Sequence, residues 1–221
     1  ITYRSVIITR MSVAAKSEPR WTRRKHARPE EITAAALELF VGRGYAGTRL
    51  EDVAARAGVS KGTLYLYFTN KEELFKAVVR EGLVSPIAEM RGLIDLFEGS
   101  TLELIRMMLF GWWERIGASR IAGIPKLIIS EAGNFPELAR FYLAEVVEPA
   151  QAATVAIVRR GIARGEFREV NVEDVARLMA APMLGLLMWR NALESFSKAK
   201  VDPLSYLEAH FDMLCHGLAK D

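Results

Sequence analysis

The chain has 221 residues, of which 51% are hydrophobic, with three histidines, one cysteine and a formal net charge of +3. This length and composition allow one or two folded domains and exclude a disordered chain, while a lone cysteine, Cys215, favours a reducing compartment, so we expect a cytoplasmic protein. No His/Cys cluster has the spacing of a zinc site, and the apolar segment Leu178 to Trp189 is shorter than the roughly 20 residues that span a bilayer, so we expect no metal, no cofactor and no membrane span.

The positive charge is concentrated at the N-terminus. Residues 1–28 hold eight Lys/Arg against one acid, residues 29–80 hold seven of each, and residues 81–221 hold fifteen against nineteen. This asymmetry suggests a basic arm over residues 1–28 that meets a polyanion. Residues 16–28 of this arm could contact DNA, by following the backbone or by entering the minor groove. They could instead be a solvated tail, and the sequence leaves both interpretations open.

The first predicted helix is PEEITAAALELF, residues 29–40, in which apolar residues recur at i, i+3, i+4, i+7 and i+8. The glycines that follow, Gly42, Gly44 and Gly47, spell G-x-G-x-x-G. A dinucleotide site requires a strand before that motif, whereas here a helix precedes it. The glycines therefore predict a helix-to-helix connection, after which Thr48 and Glu51 have the spacing of a capping box.

Two short helices follow, LEDVAARAG and SKGTLYLYF, joined at Gly58. Gly58 can adopt positive φ, Ser60 is suited to cap the second helix, and Val53 and Leu64 supply part of a shared core. This pattern predicts a helix-turn-helix unit, whose second helix can lie in the major groove of DNA.

The remaining sequence also has the apolar spacing of helices. Asn70 caps a longer connecting helix that runs toward Pro86, with Glu73 placed for a second capping box, and Ser100 with Glu103 begins another helix. We find no strand pattern outside the N-terminus, so the predicted class is all-α. We divide the chain into the arm, a three-helix DNA-binding domain at 29–76, and a helical ligand-binding and dimerisation domain at 77–221, joined by the connecting helix.

The segment GTRLEDVAARAGVSKGTLYLYFTNKEELFKAV, residues 47–78, resembles the TetR family of bacterial transcriptional regulators, and the resemblance extends from Glu30 to Val79. Thr69 stands where members often have proline, which should affect only the cap. The resemblance implies a homodimer that binds an inverted-repeat operator, usually represses, and releases DNA when a small apolar or cationic ligand enters the C-terminal domain.

Candidate DNA contacts cluster at the helix starts. The first turn of a recognition helix reaches deepest into the groove, so Lys61, Thr63 and Tyr65 are our candidates for base edges, and Gly62 permits close approach. Backbone N–H groups, hydroxyls and added charge suit phosphates, and the further candidates are Thr48, Arg49, Ser60, Tyr67 and Lys71. Thr48 and Ser60 could instead be caps alone, Tyr67 partly core, and Arg49 solvated.

The C-terminal half contains two apolar stripes. Ala180, Ala181 and Gly185 permit close helix approach, and the last helix carries apolar residues at intervals from Leu204 to Leu218. We predict that these last two helices pair with a second copy in a four-helix interface. Aromatic and thioether side chains suit an adaptable pocket, although core packing is the commoner role for each. The pocket candidates are Met107, Phe110, Trp113, Phe135, Met179 and Met183.

Two other classes of function remain as alternatives. An enzyme is disfavoured because the chain lacks a G-x-S-x-G or metal-ligand motif, and the i, i+4 pair Asp212 and His216 reads as a surface pair rather than a metal chelate. A ligand-independent architectural DNA-binding protein is the second alternative, and it would have a solid C-terminal domain and bind DNA of any sequence.

Overall fold

The computed structural model describes residues 29–220, and over that range the chain is helical apart from loops and one isolated bridge between Phe167 and Ala219. The predicted all-α class is confirmed. The basic arm of residues 1–28 lies outside the described residues, so its proposed DNA contact stays a prediction.

The N-terminal head is built from four helices. Their bounds are α1 Pro29–Arg43, α2 Leu50–Ala57, α3 Lys61–Tyr67 and α4 Lys71–Val79. As the apolar spacing predicts, Ile32, Ala36 and Phe40 of α1 are buried together. Leu64 of α3 and Val53 of α2 are also fully buried, so the two short helices share the expected core.

The glycine-rich segment joins two helices, as predicted. Gly44 in this segment has a φ of 79°, and Gly58 in the next turn, between α2 and α3, has one of 74°. This left-handed conformation carries little energetic penalty in glycine. The capping box predicted at Thr48 is wrong. The loop folds back so that the Thr48 hydroxyl donates to the Gly44 carbonyl at 2.8 Å, and Arg49 occupies the position before the first turn of α2 without a side-chain cap.

The other predicted caps are present in whole or in part. The Ser60 hydroxyl accepts the Thr63 N–H at 3.0 Å, and Ser100 with Glu103 forms a complete capping box. Asn70 accepts the Glu73 N–H at 2.8 Å. The Glu73 carboxylate contacts Lys76 instead, at 3.3 Å, so the reciprocal half of that predicted box is not formed.

The connecting helix extends further than the sequence indicates. After α4 it passes through one π-helical turn, Arg80–Val84, and continues as α5, Ser85–Ile94. Pro86 lies in the first turn of α5. Because proline has no N–H and its ring crowds the carbonyl four residues earlier, a widened turn at this point lets the helix continue instead of ending.

Six further helices form the body. They are α6 Thr101–Trp112, α7 Ile124–Glu131, α8 Pro136–Tyr142, α9 Glu148–Ala163, α10 Val172–Met188 and α11 Pro203–Leu218. Single π turns extend three of them, at Trp113–Gly117, Leu143–Val147 and Trp189–Leu193.

The head is packed firmly onto the body. One continuous hydrophobic core includes Phe40 and Phe75, whose ring centroids lie 5.3 Å apart, and extends to Ile124 of α7. Arg80 of the connecting helix forms two hydrogen bonds to Glu145, at 2.7 and 2.6 Å. The body therefore contacts the connecting helix directly, and that helix in turn packs into the head.

Candidate DNA-binding surface and ligand cavity

The outer side of α3 forms an exposed surface on the head. Leu64 points inward with no exposed area, whereas the side chains on the other faces of the helix reach solvent. We call this the α3 surface, and its members are Lys61, Gly62, Thr63, Tyr65, Leu66 and Tyr67. It carries two tyrosines, a lysine and a glycine whose added Cβ would meet only the Ser60 hydroxyl, at 3.8 Å.

Lys61 is held at the junction of α2 and α3. Its ammonium lies 2.5 Å from the Glu51 carboxylate and 5.7 Å from the centre of the Tyr65 ring. The hydrogen bond between Lys61 and Glu51 lowers the pKa of Glu51 and raises the pKa of Lys61. Both side chains are more than half exposed, so solvent screens the pair and a phosphate or base could replace Glu51 as the partner of Lys61.

Ser60 and Arg49 lie beside the α3 surface. The Ser60 hydroxyl is within 2.8 Å of the Thr63 hydroxyl in addition to capping α3. Arg49 is exposed at the start of α2. Both positions leave polar groups at a helix start, where a phosphate oxygen is favourably bound.

Two of the predicted contacts, Thr48 and Lys71, bond to the loop after α1. Thr48 is 1% exposed and its hydroxyl is bonded to Gly44. The Lys71 ammonium donates to the Tyr45 carbonyl at 2.8 Å and lies 4.4 Å from the centre of the Tyr45 ring. Partial burial lowers the pKa of Lys71. The structure therefore gives both side chains contacts within the loop after α1, and their assignment as DNA contacts stays a prediction.

Leu66 is a member of the α3 surface that the sequence analysis missed. Its side chain is 82% exposed, between Tyr65 at 42% and Tyr67 at 46%. A position two residues after the buried Leu64 lies on nearly the opposite side of a helix, so the spacing alone could have identified it. An exposed leucine on a recognition helix can contact the methyl group of thymine.

A cavity of about 440 Å³ lies between the helices of the body and is partly open to solvent. The connecting helix contributes Leu83, Ile87 and Met90 to its wall, and α6, α9, α10 and α11 supply most of the rest. This volume and predominantly apolar lining are typical of a small-molecule site. The long helix Pro136–Ala163 is, within residues 29–220, the one that could cross a membrane by length and composition. Its apolar residues Val146, Ala150 and Ile157 line this cavity.

Two of the six predicted pocket residues, Met179 and Met183, line the cavity. The side of α6 that faces the cavity differs from the predicted one. Its cavity-lining residues lie at i, i+3, i+4 and i+7 and are Ile105, Met108, Leu109 and Trp112. Met107 and Phe110 lie off that side of α6; Met107 is exposed, and Phe110 is half-buried against a separate core.

The other pocket candidates have different partners. Met107 is 40% exposed, and the Phe110 ring stacks under the Arg106 guanidinium at 4.7 Å. Trp113 packs in a separate core with Leu186 and Leu207, and Phe135 meets the Tyr45 ring edge-on at 4.8 Å. These four residues lie outside this cavity, in core or surface positions.

The cavity contains few polar groups. His210 hydrogen-bonds through Nε2 to the Met179 carbonyl at 3.0 Å, and burial lowers the pKa of its ring. The Thr154 hydroxyl donates to the Ala150 carbonyl at 3.0 Å. Tyr142 and Gln151 complete the neutral polar lining, and burial raises the pKa of Tyr142 to about 12.

An apolar surface on α10 and α11 is exposed in the single chain. Leu178, Leu204 and Met213 are 67%, 53% and 73% exposed, and Ala181 and Gly185 are exposed on the same side of α10 as Leu178. We call Leu178, Ala181, Gly185 and Met213 the α10/α11 surface. Ala180 lies on nearly the opposite side of α10 from Leu178, and both Ala180 and Ala181 line the cavity. The apolar stripe of α11 that a second copy could contact is narrower than the sequence predicts, because Leu207 and Leu218 are buried in the chain's own core.

Asp212 and His216 form an exposed contact near the end of α11. The imidazole Nδ1 lies 2.9 Å from the Asp212 carbonyl and 3.5 Å from its carboxylate. Within residues 29–220, no group of three or more His, Cys, Asp or Glu side chains is placed to hold a metal ion.

Known proteins match both halves of the chain. Residues 32–78 match the family model for bacterial regulatory proteins of the tetR family, and residues 98–199 match that of the tetracyclin repressor-like C-terminal domain. The transcriptional regulator RutR of Escherichia coli K12 is 35% identical over 133 residues, which cover 57% of this chain and 63% of RutR.

Solved structures share the fold. SmeT, the repressor of the Stenotrophomonas maltophilia multidrug efflux pump SmeDEF, has a TM-score of 0.71 at 24% identity, covering 88% of this chain and 92% of SmeT. FadR of Bacillus subtilis in complex with stearoyl-CoA has a TM-score of 0.64 at 20% identity, covering 86% and 99%. With two family models matched in order and a helix-turn-helix head on an all-helical body, the chain belongs to the TetR family of transcriptional regulators.

Proposed function

We propose that the protein is a cytoplasmic repressor that binds an inverted-repeat operator as a homodimer and releases it when a small molecule occupies the body cavity. The observation that carries the proposal is the α3 surface, which presents lysine, hydroxyl and aromatic groups on a helix whose opposite side anchors it in the head. Such a helix can enter the major groove while its inner face stays packed.

The proposed contacts divide by chemistry. Lys61, Thr63 and Tyr65 read base edges near the start of α3, with Gly62 allowing close approach. Arg49, Ser60 and Tyr67 lie around them and bind phosphate oxygens. Phosphate contacts position the helix, whereas base contacts supply the sequence preference.

A second copy of this chain is the proposed occupant of the α10/α11 surface. Large apolar side chains exposed next to small residues allow two helix pairs to approach closely and form a four-helix interface. The family match supports a symmetric dimer, and a two-fold axis would place two α3 surfaces on one side of a duplex.

The proposed release mechanism uses the connecting helix. Leu83, Ile87 and Met90 of this helix line the cavity, while its N-terminal part packs in the head core through Leu74 and Phe75. A ligand that fits only one position of this helix shifts the population toward dimers whose α3 surfaces are wrongly spaced for the operator. Operator affinity then falls by the ratio of ligand affinities for the two states.

Selection of bound duplexes from a randomised pool by the full chain tests this function. We expect an inverted repeat whose half-sites lie about one helical turn, roughly 34 Å, apart. Enrichment of no sequence would contradict the proposal and favour the architectural alternative, whose binding does not depend on sequence.

The exposed Leu66 predicts a second, finer result with the selected operator. If Leu66 contacts a thymine methyl, replacing that thymine with uracil should weaken binding about 4-fold, the effect of one buried methyl-sized group. In Leu66→Ala the same replacement should have no further effect. Electrophoretic shifts with each operator thymine replaced in turn make the measurement, and equal losses in the variant and the original protein would count against the contact.

A further inference from the structure

The charge of the cavity wall restricts what the cavity can hold. Of the side chains that line it, Arg177 is the one that is ionised, and no Asp or Glu takes part. Arg177 is 62% exposed and lies 3.1 Å from the Asp174 carboxylate, so its charge is at the mouth and already paired. A charged ligand group in the interior would lose its hydration without a counter-charge, which is costly.

His210 offers the interior an unused hydrogen-bond acceptor. A carbonyl oxygen can only accept, so the Nε2 that contacts Met179 carries the hydrogen. Burial lowers the pKa of this imidazole and favours its neutral form, in which Nδ1 keeps a lone pair. Among the described residues Nδ1 has no hydrogen-bond partner. The His210 side chain is only 7% exposed, but Nδ1 is not among the fully buried side-chain atoms, so a ligand in the cavity can reach it.

The other polar groups of the wall are consistent with a neutral interior. Tyr142 keeps its phenolic hydrogen, since burial raises its pKa to about 12. The Thr154 hydroxyl already donates to Ala150 and can only accept a further hydrogen. Tyr142, Gln151 and the indole of Trp112 can donate to a ligand, so the group that selects for a ligand donor is the unpartnered Nδ1 of His210.

We propose that the cavity binds an uncharged, largely apolar molecule whose hydroxyl or amide hydrogen donates to Nδ1 of His210. This inference rests on the proposed function in taking the cavity as the regulatory site, and it narrows the ligand class to neutral donors. The proposal excludes carboxylates and alkylammonium ions because of their charge. Ketones and esters are disfavoured because they have no hydrogen to donate to Nδ1 of His210.

Four probes of similar size test the proposal by calorimetry on the full chain without DNA. Decan-1-ol and its isomer 1-methoxynonane differ in the hydroxyl donor, and decanoate and decylammonium carry opposite charges. We expect the alcohol to bind about 3- to 10-fold more tightly than the ether, the range that one hydrogen bond supplies. Both ions should bind more than 10-fold more weakly than the alcohol. An ion that binds as tightly as the alcohol, equal binding of alcohol and ether, or no binding by any probe would overturn the proposal.

Two histidines on α11 provide a matched pair of variants. His210→Leu should abolish the preference for the alcohol over the ether, whereas His216→Leu, altered at an exposed position outside the cavity, should retain it. If circular dichroism shows that His210→Leu does not fold, the ratio of alcohol affinity to ether affinity in the unaltered protein decides whether the cavity prefers a donor. Operator release by the alcohol is measured separately. Binding without release would contradict the release mechanism and leave the ligand class standing.

Discussion

Leu178→Glu should convert the proposed homodimer into monomers at micromolar concentration. Leu178 is 67% exposed on α10 in the single chain, so the substitution leaves the chain's own core intact. In the proposed interface, however, it places a carboxylate from each copy in an apolar contact where neither is paired, which strongly disfavours association. Sedimentation measures the change in mass. Operator affinity should fall about 100-fold or more, because a monomer loses the second half-site and its effective concentration.

Leu96→Glu is the matched control for this substitution. Leu96 is 77% exposed just beyond the end of α5, outside α10 and α11. The same change of side chain there should leave the protein dimeric, with unchanged operator affinity. A dimeric Leu178→Glu protein would contradict the proposed interface, and loss of dimer in both variants would show that added charge rather than its position is responsible.

Lys61→Met should lower operator affinity about 10- to 100-fold, the range for a well-placed lysine contact to a base. Methionine keeps most of the aliphatic chain and loses the ammonium, so the change tests charge and hydrogen bonding rather than shape. Affinity for a duplex without the operator should fall less, so the ratio between the two duplexes should shrink. Electrophoretic shift at fixed salt concentration measures both affinities, since these depend steeply on salt.

Glu51→Gln separates the DNA contact of Lys61 from its contact inside the protein. The variant removes the carboxylate 2.5 Å from Lys61 but keeps the lysine. If Lys61 acts on DNA, this variant should bind the operator at least as tightly as the unaltered protein, because an anion beside the duplex has been removed. Equal losses in Lys61→Met and Glu51→Gln would instead mean that the ion pair acts by positioning α2 against α3.

The head could be predicted from the sequence because its determinants are local. The spacing of Ile32, Ala36 and Phe40 identifies the buried side of α1, and Ser60 and Asn70 begin α3 and α4 through hydrogen bonds to residues three positions away. Thr48 shows the limit of this reasoning. The same hydroxyl can cap a helix or bond back to Gly44, and the path of the loop decides between them.

The cavity could be predicted only in outline. The methionine content of the body pointed to an adaptable interior, and Met179 and Met183 do line the space. On α6, however, Met107 and Met108 are neighbours about 100° apart around the helix, and only the second reaches the cavity. Which of the two faces inward depends on where α9, α10 and α11 lie.

The sequence by itself determined the helical class and the helix-turn-helix head, because each depends on periodicity and on hydrogen bonds between residues a few positions apart. Only the tertiary structure decided that Lys71 and Thr48 contact the loop after α1, that Leu66 is exposed on α3, and that His210 lines an apolar cavity. A cavity is the space that several packed helices leave between them, so its shape and lining depend on contacts between residues far apart in the chain.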